Sequence, residues 1–85
     1  MQKNHFLHSF FVHVSKQDYE YVAANKEMLL TGLASTCVVE IIEDVALGAS
    51  ECFIETESGI YDCGLGTQLE LLKKELNLLS YVSRQ

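Results

Sequence analysis

Residues 51–79, ECFIETESGIYDCGLGTQLELLKKELNLL, constrain the fold more than any other part of the chain. A two-residue period runs into a helical one with only a few small residues between, so a strand pair must lie against a helix. Residues 52–57 and 60–65 read as strands joined by a tight turn at Ser58-Gly59. That turn places Glu57 opposite Ile60, Thr56 opposite Tyr61, Glu55 opposite Asp62 and Ile54 opposite Cys63. Alternation then sorts the hairpin into two faces. One carries Cys52, Ile54, Thr56, Tyr61, Cys63 and Leu65 and is mostly apolar; the other carries Glu55, Glu57 and Asp62 with Phe53 and Ile60 and is acidic.

The helix that covers the apolar face opens near Gly64 or Leu65, with Gly64 or Thr67 as its cap. Leu65, Leu69, Leu72, Leu76 and Leu79 recur at alternating steps of four and three and form one stripe. Leu65, Leu72 and Leu79 also repeat every seven residues, but so short a seam does not stand alone, and the adjacent hairpin needs cover. The stripe is therefore core. Leu71, Leu78 and Val82 make a second, flanking row that exceeds what one small domain needs, and a partner is expected to cover it. Glu70 and Lys74, four apart, mark the solvent side.

Upstream, residues 8–14 form a strand with Phe10, Val12 and Val14 on one face. Ser15 and Asp18 then make an S-x-x-D capping signal for a helix running to about Leu33. Its buried side carries Tyr19, Val22, Leu29, Leu30 and Leu33, and Gly32 marks its end. The run CVVEIIE at 37–43 reads as a central strand buried on both faces, and 44–51 as a loop around Gly48. The fold class is α+β: a small mixed β-sheet with two helices on one side, in the order β-α-β-β-β-α. A flexible segment, 1–9, precedes a single domain at 10–85.

Charge and composition remove several function classes. Six basic residues against twelve acidic ones leave a net charge of −6 with no basic cluster, which excludes a phosphate-binding surface for nucleic acid. A basic or amphipathic polypeptide is the complementary partner. No apolar run approaches the ~20 residues that cross a bilayer, and the first residues do not form a signal peptide. Three cysteines without CxxC spacing, Cys37, Cys52 and Cys63, read as reduced, small buried hydrophobes. Cys52 and Cys63 are placed diagonally across the hairpin, too far apart for an unstrained bridge. His5, His8 and His13 have poor spacing for zinc and read as surface or strand-face residues. Glu55 and Asp62, with Glu57 nearby, could be drawn as an acid/base pair, but no nucleophile or metal set accompanies them. They read as a solvated contact patch. No catalytic residue, metal or cofactor is assigned.

The segments VEIIED (39–44) and CFIETESGIYDCGLGTQLELL (52–72) resemble the C-terminal domain of the FliH/YscL/HrpE family, the stator and regulator proteins of flagellar and type III export ATPases. Glu43-Asp44, Leu47-Gly48, Cys52, Glu55-Thr56-Glu57, Gly59-Ile60, Asp62 and Thr67-Gln68-Leu69-Glu70 carry the likeness, which spans about residues 10–80. A fainter likeness is to the head of the peripheral stalk of rotary ATPases. The chain departs from the family at Val45, where proline is usual, at Ala49-Ser50-Glu51 before the hairpin, and at Gly64 and Gly66 before the helix. The family's long N-terminal helical region is not in these residues, which would make the chain a lone C-terminal domain, a fragment, or a short separate product.

The resemblance implies a non-enzymatic, cytoplasmic protein, peripheral to the inner-membrane base of a secretion apparatus. It implies docking of the N-terminal helix of the export ATPase, with restraint of hydrolysis, and pairing with a second copy or a full-length stator chain. Contact with cytoplasmic ring components would require a longer N-terminal region. Placed on this chain, the partner-binding residues are Leu71, Leu78 and Val82 with Glu55, Glu57 and Asp62. A virulence-type apparatus is preferred to a flagellar one. The alternative is an oligomerisation module that dimerises, like a peripheral-stalk head, without regulating an ATPase.

Overall fold

The computed structural model describes residues 8–33, 37–64 and 69–83, the side chains at 8, 64 and 81–83 excepted. Its elements are β1 (His8–Val14), α1 (Lys16–Ala24), α2 (Lys26–Leu30), β2 (Cys37–Glu43), β3 (Cys52–Thr56), β4 (Gly59–Gly64) and α3 (Leu69–Ser83). The strands make one mixed sheet in the order β2-β1-β3-β4. β1 pairs parallel with β2 and antiparallel with β3, and β3 pairs antiparallel with β4. Helices cover one face, which gives the α+β class that the sequence implies.

The core follows strand alternation and the helical stripe. Phe10, Val12 and Val14 of β1, Val39 of β2 and Ile54 of β3 point to the helical side and are buried. Against them lie Val22 of α1, Leu29 of α2, and Leu69, Leu72, Leu76 and Leu79 of α3. Leu65, also assigned to the stripe, and Thr67 lie outside the described residues. Gly64 closes β4 instead of capping the helix.

Ser15 caps α1 as its sequence pattern implies. Its Oγ accepts from the Asp18 amide at 3.2 Å and donates to Asp18 Oδ2 at 2.8 Å. The same carboxylate accepts from the Ser50 amide at 2.8 Å, so one acidic residue ties the helix start to the loop before β3. That contact holds Ser50 at a φ of 68°, a strained conformation for a residue with a side chain.

Four further expectations are corrected. The first helix is two: α1 stops at Asn25, whose amide donates to the Val22 carbonyl and whose Nδ2 donates to the Tyr21 carbonyl at 2.8 Å. Asparagine competes for backbone partners in this way and breaks the run. Gly32 ends the segment at a φ of 90°. Among the described residues β2 is an edge strand, not a central one: Cys37 and Val39 are buried while Val38 and Glu40 are exposed. Its second set of apolar residues, Val38 and Ile42, faces away from the helices.

The hairpin turn sits at Glu57-Ser58, with Thr56 opposite Gly59, Glu55 opposite Ile60, Ile54 opposite Tyr61 and Phe53 opposite Asp62. A tight turn centred on Ser58-Gly59 would need positive φ at Ser58. Among the described non-glycine residues only Ser50 has positive φ. The chain instead turns one residue earlier. Thr56 Oγ1 accepts from the Ser58 amide at 3.0 Å and donates to the Gly59 carbonyl at 3.1 Å. Gly59, at a φ of 148°, takes the position that disfavours a side chain. Pairing moves by two residues, so each side chain keeps its face. Lastly, a register shift between Cys52 and Phe53 sets Cys52 opposite Gly64 and makes Cys63 the extra residue of a bulge. Cys52 and Cys63 are therefore neighbours and not diagonal.

Candidate interaction surfaces

Among the described residues two apolar surfaces remain outside the core, and they lie on opposite sides of the two-layer domain. The first is on α3. Leu71 and Leu78 are 47% and 55% exposed while Leu72, Leu76 and Leu79 are buried. At about 100° per residue, the exposed pair stands roughly 130° around the helix from the buried stripe, which aims it away from the sheet. Lys74 and Glu75 stand between the two leucines, one charge of each sign. Val82 belongs to α3, but its side chain lies outside the described residues.

The second surface is the sheet face turned away from the helices. Register aligns two rows across the four strands: Glu40, Phe11, Glu55, Ile60, and next to it Ile42, His13, Phe53, Asp62. Phe11, Val38 and Ile60 are 37%, 39% and 66% exposed. Glu40, Glu55 and Asp62 are exposed among them. Two of the carboxylates assigned to partner binding, Glu55 and Asp62, thus sit on this face, with Glu57 in the turn at its end. The structure does not bring them together with Leu71 and Leu78. Nor are Glu55 and Asp62 directly opposed, which removes the like-charge pair that invited an acid/base reading.

His13 joins several groups of the open face. Its Nδ1 lies 3.2 Å from Asp44 Oδ2 and its Nε2 lies 3.1 Å from Glu55 Oε1. The ring stacks on Phe53 with centroids 4.3 Å apart and planes at 13°. A neutral imidazole donates from one nitrogen only, so donation to both carboxylates requires the protonated ring. Among the described residues no group of three or more His, Cys, Asp and Glu is placed to hold a metal ion. His5 lies outside the described residues, as does the side chain of His8.

The bulge brings the two hairpin cysteines into one unit; both are free thiols, Cys52 buried and Cys63 half-buried. Donation from the Cys52 thiol to the Cys63 sulfur holds Cys63 below the ordinary thiol value, against the opposing effect of burial. The same hydrogen bond, reinforced by burial, pushes Cys52 well above that value. Sequence spacing does not reveal this pair, because the bulge that joins them leaves no mark on the alternation.

Among the described residues no helix is long and apolar enough to cross a membrane. The model of the family described as flagellar assembly protein FliH matches residues 1–72. No curated protein matches the chain.

Proposed function

Because the chain belongs to the flagellar assembly protein FliH family, whose members are cytoplasmic components of the export apparatus and regulate its ATPase, we propose that it is a non-enzymatic docking module for the N-terminal helix of an export ATPase. On this reading it holds the ATPase at the inner-membrane base of a flagellar or virulence-type apparatus and restrains its hydrolysis. The observation that carries it is the row Leu71 and Leu78, large apolar side chains exposed on the outer side of α3. An amphipathic helix laid along α3 would cover that row with its own apolar stripe.

Calorimetric titration with the N-terminal peptide of the cognate ATPase tests the reading. Micromolar binding that is lost on Leu71→Asp with Leu78→Asp is expected, since two charges would be buried in an apolar contact. No interaction at micromolar concentration overturns it. A second reading is favoured by the balanced charges around the row, which oppose no second copy: pairing of two α3 helices as an oligomerisation module. Sedimentation decides between them. A concentration-independent dimer without affinity for the peptide supports the second reading.

A further inference from the structure

We propose that the open face of the sheet is a docking surface in its own right, and that its occupant is a cationic amphipathic segment of another polypeptide. The face mixes apolar and polar groups: Phe11 and Phe53 on the two central strands and Ile60 on β4 stand among Glu55 and His13. Exposed apolar side chains of the size of Phe11 and Ile60 lose free energy to water until something covers them. Carboxylates are interleaved with them. Glu40 and Glu55 flank Phe11 from the two neighbouring strands, each roughly 5 Å away in the pairing direction. Asp62 stands beside Phe53. No lysine or arginine of the described residues shares the face: Lys16 and Lys26 lie on α1 and α2, and Lys73 and Lys74 on α3.

That pattern selects the occupant. Phosphate-bearing partners, whether nucleic acid or anionic lipid, meet chiefly like charge here, since the His13 ring is already held between Asp44 and Glu55. A second copy would set carboxylates against carboxylates, on a chain that already carries a net charge of −6. An amphipathic segment with lysine or arginine beside its apolar residues satisfies both components at once. The two surfaces face opposite directions, so this contact is separate from that of α3 and does not rest on the ATPase reading.

The test uses a synthetic helical peptide of leucine and lysine, leucines on one side, titrated into the isotope-labelled chain carrying Leu71→Asp with Leu78→Asp, which removes the α3 row as a rival site, and followed by amide chemical shifts. Shifts concentrated at Phe11, Glu40, Glu55 and Ile60 are expected. Glu40→Lys with Glu55→Lys, added to that background, should weaken binding about tenfold or more. Glu40→Gln, at an exposed edge position that leaves the His13 contacts intact, should give a smaller loss and guards against misfolding of the double variant. Shifts that spare the sheet face overturn the proposal, as does an affinity indifferent to charge reversal. Self-association of the chain that Phe11→Ser with Ile60→Ser abolishes would assign the face to a second copy and likewise overturn it.

Discussion

Single residues account for the two local features with the clearest consequences. Ser15 is buried and both accepts from and donates to Asp18, which in turn fixes the loop at Ser50. Ser15→Ala leaves an orphan amide at the start of α1 and should cost about 1 kcal/mol, measured by denaturant unfolding. This cap was legible because a local hydrogen bond depends only on spacing. The cysteine pair was not, because adjacency across a bulge depends on tertiary pairing. Cys63, held low by the thiol of Cys52, should be alkylated at neutral pH before Cys52 and buried Cys37, and its labelling should begin at lower pH than that of an ordinary thiol. Cys52→Ala removes the donor, so Cys63 should then label more slowly; peptide mass spectrometry after timed alkylation reads both effects. An unchanged rate would contradict the pairing.

At the scale of elements, α3 shows how far periodicity reaches. The steps of four and three picked out Leu69, Leu72, Leu76 and Leu79, which are buried. Leu72→Ala should destabilise by roughly 2–5 kcal/mol, whereas Leu71→Ala should fall within about 0.5 kcal/mol of the parent, a contrast that thermal or urea unfolding resolves. The hairpin was half legible. Its faces were right because a turn displaced by one residue shifts the pairing by two, and parity survives. Its turn was misplaced because the requirement of Ser58 for negative φ outweighed the Ser-Gly signal. β2 misled for a different reason. Its continuous apolar run, a mark of burial in a central strand, here reflects one buried face and one open face that is itself apolar.

For the whole molecule, the decisive fact is that the uncovered apolar surfaces of α3 and of the sheet look in opposite directions from one thin layered domain. The outer row of α3 could be anticipated from the helix alone. The sheet face could not, since it exists only once β1 is set between β2 and β3 and brings Phe11, Glu40 and Glu55 into line. Surfaces this separated should act additively. Saturating one with its peptide should change the affinity of the other by less than about twofold in paired titrations. The position of β2 carries a last implication. Among the described residues no strand lies along its outer side, so a ladder of amides and carbonyls remains there as a template onto which a foreign chain can add. Glu40 and Glu43 line that margin and discourage identical copies from stacking into fibrils. Neutralising both acids should therefore shorten the lag before aggregation, a cost that light scattering at high protein concentration would register.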